Sequence, residues 1–100
     1  MAFEFLVGLQ VADDAAYDRY RAAMKPILER FGGGFRYDFR VAEVLRSETE
    51  APINRVFTIH FRDEAASEAF FSDPEYLVVR DEHFAPSVAA TTMIASYARG

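Results

Sequence analysis

The sequence predicts an α+β domain of two layers, with helical segments covering one face of an antiparallel sheet. Segments of period two alternate with segments of period three to four in the order strand, helix, strand, strand, helix pair, strand. An aspartate stands before each helical run, where a helix needs an acceptor for its first amides. The order also divides into two β-α-β halves, a loose twofold plan without an internal sequence repeat.

The first strand is expected from Phe3 to Val11. Phe3, Phe5, Val7, Leu9 and Val11 share one apolar face, and Glu4, Leu6, Gly8 and Gln10 share the other. Asp13 or Asp14 caps the first helix, in which Ala16, Tyr17, Tyr20, Ala23, Met24, Ile27, Leu28 and Phe31 recur at helical spacing. Pro26 lies inside that run and predicts a kink or a locally opened turn. Gly32, Gly33 and Gly34 end it; a phosphate loop would run from strand into helix, the reverse of the order here.

The second strand is expected to be long, Phe35 to Arg46, and to protrude or bend, which suggests a partner chain. A polar loop, Ser47 to Pro52, leads to a third strand from Arg55 to Arg62 that forms a hairpin with it. Asp63 caps a short helix with Ala65, Ala66, Ala69 and Phe70 as its apolar stripe. In Ser72-Asp73-Pro74-Glu75-Tyr76 the helix stops and restarts, with Asp73 as cap and Pro74 at the first helical position. Pro86 closes this helix, and Thr91 to Tyr97 forms the last strand. The pattern is the βαββαβ, ferredoxin-like layout in a single domain spanning residues 1–100.

Composition narrows the function. A net charge of −5 argues against nucleic acid, which is held by a clustered basic surface. No apolar run approaches the ~20 residues of a membrane helix, and the N-terminus lacks the basic region of a signal peptide. The lack of cysteine removes disulfides and thiolate metal sites and leaves the cytoplasm as the expected location. Ten of the eleven basic residues are Arg, whose planar fork suits carboxylates.

Tyr17-Asp18-Arg19-Tyr20 through Pro26 to Gly32-Gly33, then Ser72-Asp73-Pro74-Glu75-Tyr76 and Arg80, resembles the domain of unknown function 1330 family over nearly the whole chain. The resemblance implies a dimeric α+β barrel, in a superfamily that also holds cofactor-independent monooxygenases, small isomerases and haem-degrading enzymes. The family has no settled activity. After the glycines this chain carries Arg36-Tyr37-Asp38-Phe39-Arg40 and Ser47-Glu48-Thr49, where the family has a short strand, further glycines and a Glu-Gly pair.

The candidate site residues come from the sheet face turned away from the helices. If no bulge shifts the strands, that face holds Glu4, Gln10, Arg36, Asp38, Arg40, Thr58 and His60. His60 is the candidate general base, beside Asp38 or Glu4, because its ordinary pKa lies near neutrality. Arg36, Arg40, Tyr20, Tyr76 and Arg80 are the candidate substrate contacts, with the tyrosines bounding an apolar cavity between helices and sheet. His83 reads as a surface residue, on a different element from His60, so no metal site and no cofactor are expected. The expectation is a homodimer that binds a small molecule. As an enzyme it would be a cofactor-independent oxygenase or isomerase acting on a small aromatic or enol acid. The alternative is a non-catalytic dimeric module.

Overall fold

In the computed structural model, which describes residues 1–100, four strands form one antiparallel sheet. The strands are β1 (Ala2–Val11), β2 (Gly34–Arg40), β3 (Arg55–Phe61) and β4 (Val88–Arg99), in the order β2-β3-β1-β4. Helix α1 (Asp14–Arg30) follows β1. After β3 come α2 (Glu64–Ser72), α3 (Pro74–Val79), a π-helical turn (Arg80–Phe84) and α4 (Ala85–Ser87). This is the ferredoxin-like βαββαβ arrangement. No helix is long and apolar enough to cross a membrane.

The helix boundaries follow from local chemistry. Asp13, Asp63 and Asp73 each accept a hydrogen bond from the amide three residues on, at 3.0, 2.7 and 3.0 Å. Helix α1 runs on through Pro26. It ends in a Schellman pair, with Gly32 donating to Glu29 and Gly33 to Leu28, both at 3.0 Å. Gly32 adopts φ +69°, a conformation costly for any residue with a Cβ. A Cβ on Gly33 would run into Leu28, so the chain passes tightly into β2.

The core lies between the helices and one sheet face. Val7, Leu9 and Val11 of β1 and Phe57, Ile59 and Phe61 of β3 meet Tyr17, Tyr20, Met24, Ile27 and Leu28 of α1, with Phe70 and Tyr76 closing the far side. Such side chains each contribute roughly 1.5–3 kcal/mol on burial. On α2 the buried positions are Ala66, Ser67 and Phe70, while Ala65 and Ala69 are exposed, contrary to the expected alanine stripe. Ser67 is accommodated because its hydroxyl donates to the Glu64 carbonyl at 2.6 Å.

The long strand is not the second but the last. β2 ends at Arg40, and residues 41–54 form the connection to β3. Asn54 ends that connection with a two-way clasp on Val11, accepting from its amide and donating to its carbonyl, both at 2.8 Å. Ile53 lies over Gly8, where an added Cβ would stand 3.0 Å from it. The expected overhang of β2 is therefore absent, while β2 and β4 do form the sheet edges.

A bulge in β2 changes which residues face where. The register passes from Phe35 opposite Ile59 to Tyr37 opposite Thr58, leaving Arg36 as the extra residue. Thr58 accepts from the Tyr37 amide through its hydroxyl at 3.1 Å, satisfying a donor beside the bulge. From there the parity is inverted. Tyr37 and Phe39 turn to the open face, and Asp38 and Arg40 turn to the side of the helices, opposite Phe57 and Arg55.

Candidate functional site

Two polar clusters result, one on each face of the sheet. On the covered face Asp38 sits between two guanidiniums. Arg55 donates to it at 2.8 Å from both Nε and Nη2, and Arg21 of α1 at 3.1 and 3.4 Å from Nη1 and Nη2. Burial raises the carboxyl pKa, but the Arg55 hydrogen bonds and both positive charges outweigh it and hold Asp38 below its usual range. Arg21 also donates from Nε to the Tyr17 hydroxyl at 2.8 Å, and its guanidinium lies 3.9 Å from the centre of the Phe35 ring and 4.8 Å from that of Phe57.

Arg21 forms part of the wall of a cavity of about 110 Å³ between helices and sheet, otherwise made mostly of apolar side chains such as Leu9, Met24, Phe57 and Phe84. Tyr17, Tyr20 and Tyr76 also line it. The hydroxyls of Tyr20 and Tyr76 meet at 2.9 Å. Burial raises the pKa of all three tyrosines, so their hydroxyls stay protonated at neutral pH. In the Tyr20–Tyr76 pair only one of the two protons is used, and the second has no acceptor within the chain.

On the open face Glu4 is 1% exposed although no other chain covers it. Tyr97 donates its hydroxyl to this carboxylate, Arg99 reaches it at 3.1 Å and Arg36 at 3.2 Å. Burial opposes ionisation, but the Tyr97 and Arg99 hydrogen bonds and the two charges hold the Glu4 pKa low. His60 pairs with Glu4 across the β1–β3 ladder, its ring lying over Gly34 and its Nδ1 buried without a partner. Burial first, then the Arg36 charge, lowers its pKa, so the imidazole is neutral at pH 7.

The predicted residues thus separate. Tyr20 and Tyr76 come together at the cavity. Arg36 and His60 share the Glu4 cluster on the opposite face. Asp38 is not beside His60, because the bulge sends it to the Arg21–Arg55 side. Arg40 leaves the open face for the same reason and lines a shallow hollow with Asp14 and Asn54. Arg80 bonds to Asp81 at 2.9 Å on the surface and does not line the cavity. Arg21 was the residue least legible as a site group, because it sits on the helix side that the periodicity assigns to solvent; Glu4 was expected on the open face, but two of its three partners, Tyr97 and Arg99, lie at the far end of the chain.

The open face is less polar than its sequence pattern suggested. Leu6, Tyr37, Phe39 and Val56 form an apolar patch there, with Tyr37 and Phe39 both 55% exposed and their rings 5.9 Å apart.

Comparison with known proteins places this geometry. A family model described as a domain of unknown function (DUF1330) matches residues 5–97. A protein of unknown function from Rhodopseudomonas palustris superimposes with a TM-score of 0.81 at 19% identity, over 96% of this chain and 80% of that one. A DABB, or dimeric α+β barrel, family protein with a ferredoxin-like fold from Mesorhizobium loti gives 0.67 at 17% identity, over 98% and 96%. A variant of SnoaB, a cofactor-independent oxygenase from Streptomyces nogalater, gives 0.63 at 15% identity, over 98% and 92%. At these identities the likeness shows the fold. No functionally curated protein matches the sequence.

Proposed function

The chain belongs to the DUF1330 family, and from that premise we propose that it is a homodimer that binds a small planar aromatic or enolic molecule in the cavity between α1 and the sheet. The observation that carries the reading is the Tyr20–Tyr76 pair: a hydroxyl proton without an acceptor, beside an apolar space. An apolar body with one acceptor oxygen fits that combination. At about 110 Å³ the cavity is smaller than the ~150 Å³ site that holds benzene in an engineered protein, so the ligand is a compact one.

The enzymatic form of this reading is a cofactor-independent oxygenase or isomerase. The wall holds no carboxylate and no histidine. What it offers is hydrogen-bond donation to an oxygen on which negative charge develops, as in an enolate. His60, on the other face, then acts on assembly rather than on the ligand. The dimer reading rests on the Tyr37–Phe39 patch and on the dimeric relatives of the fold.

Two measurements test the proposal. Light scattering should give twice the 11.3 kDa chain mass. Planar ligands of about five to seven heavy atoms should raise the melting temperature of the wild type and much less that of Tyr20→Phe/Tyr76→Phe. Oxygen uptake and isomer formation on the ligands that bind then separate an enzyme from a binding module. A panel of phenols, diketones and 2-oxo acids that shifts nothing would sink the ligand reading.

A further inference from the structure

We propose that the cavity selects an acid: Arg21 receives the anionic oxygen of the ligand, and Asp38 and Arg55 set how much of its charge is available. The inference rests on the cavity being a ligand site and goes further by naming the charge of the ligand and the group that reads it.

The first argument is a charge count. Arg21 and Arg55 share the single carboxylate of Asp38, and no other carboxylate lies within ion-pair distance of either. At ion-pair distance one positive charge is left over, on arginine side chains only 17% and 14% exposed, although water reaches Asp38 at 31% exposure and Asp18 acts on Arg55 from farther off. Arg21 borders the cavity and Arg55 does not. A neutral occupant would leave the surplus facing an apolar space, whereas an oxyanion would pair with it through a charge-assisted hydrogen bond.

The second argument concerns donors. Of the five guanidinium protons of Arg21, three are engaged, by Tyr17 and the two oxygens of Asp38, and two are free. Tyr17 accepts from Arg21 and donates to nothing, so its own proton is free as well. Two residues that line the cavity, Arg21 and Tyr17, therefore carry unengaged N–H and O–H donors. They are also held in place, since the guanidinium is pinned by Asp38 and stacked on Phe35 at 3.9 Å. A carboxylate, or the oxygen of an enolate, is the group that two such donors match.

Asp38 and Arg55 are positioning residues in this account, and they make opposite predictions. Arg55→Gln removes the surplus charge, and Asp38→Asn enlarges it, although both break the same ion pair. The probes are compact planar acids with their neutral isosteres, acrylate with acrylamide and crotonate with crotonamide, measured by calorimetry on the folded wild type and variants. The wild type should prefer each acid by at least about tenfold, in a manner weakened by salt. Arg55→Gln should lower that preference about tenfold and Asp38→Asn should raise it. Arg21→Met should bind acid and amide alike.

Equal binding of acid and amide by the wild type would overturn the assignment and leave the ligand site standing. A preference that moves the same way in Arg55→Gln and Asp38→Asn would overturn the charge-setting role. Binding of none of the four probes would count against this inference and the site together. Should Arg21→Met fail to fold, the opposed pair of variants decides alone.

Discussion

Each face of the sheet holds one carboxylate between two arginines, and the two clusters differ in where the arginines lie. Around Glu4 the partners Arg36 and Arg99 are 38% and 42% exposed, so water screens the charge that Glu4 does not neutralise. Around Asp38 the arginines are less exposed, at 17% and 14%, and one of them borders a cavity, although Asp38 itself meets water more than Glu4 does. The same count of charges therefore has two meanings. On the open face it ties the strands together, because Glu4 of β1 receives Arg36 from one edge and Tyr97 and Arg99 from the other. On the covered face it leaves an attraction unspent. A count of charges becomes informative only with the surroundings of each arginine.

The contrast between covered and open faces can be broken most forcefully at the aromatic residues. Phe61→Ala, on the covered face and 0% exposed, should cost about 3–5 kcal/mol in denaturant unfolding, whereas Phe39→Ala should change the stability of the monomer by less than about 1 kcal/mol. Comparable losses for both would mean that the open face is not open.

Glu4→Gln comes next in folding stability. It removes the charged acceptor of Arg36 and Arg99, which water then solvates, and should cost about 1–2 kcal/mol at pH 7. The folded carboxyl has a pKa below the ordinary 4.5, so its contribution is present above that value and is lost as pH falls through the lower folded pKa. Wild type and Glu4→Gln should therefore converge in stability below about pH 4.5; a gap unchanged down to pH 3 would dismiss the carboxylate as the cause.

Replacing both exposed rings, Tyr37→Ser/Phe39→Ser, should raise the dimer dissociation constant about 100-fold, roughly 2.7 kcal/mol, with little change in monomer folding. Sedimentation across a concentration series reads this directly. An unaltered dimer would move the interface away from the apolar patch.

The smallest effect concerns His60. Burial and Arg36 lower its folded pKa below 6.5, so the unfolded chain binds the proton more readily and stability should decline as pH falls below about 6.5. His60→Gln should flatten that slope in urea titrations between pH 7 and 5. Because His60 lies on the face away from the cavity, ligand affinity should be unchanged, and a lost ligand response in His60→Gln would reunite the two clusters into one site.

Much of the fold could be read from the chain because its signals are local. Asp13, Asp63 and Asp73 each act within three residues, and the alternation in β1 and β3 needs only their own side chains. The site was less legible because one extra residue decides it. Period-two reading puts Tyr37 and Phe39 with Phe35 on the helix side and Asp38 with His60 outside, and the bulge at Arg36 reverses both. Thr58 supports the bulge from 21 positions away, a pairing that no local pattern announces. The same holds for Tyr97 and Arg99, more than 90 positions from the carboxylate they hold. The π-helical turn that brings Phe84 against Tyr20, at 5.0 Å between rings, likewise carries no sequence mark beyond the late Pro86.

The central place of β1 sets a timetable for biosynthesis. It leaves the ribosome before either of its neighbours in the sheet, β3 and β4, the latter beginning at Val88. At ~5–20 residues per second, roughly 4–18 seconds pass between the emergence of Val11 and that of Arg99. During that interval α1 can shield the apolar side of β1, but the edge awaiting β4 stays unpaired and open to another nascent chain. Codon changes that slow elongation between β3 and β4 should lengthen this exposure and lower soluble yield, while slowing within α1 should matter less.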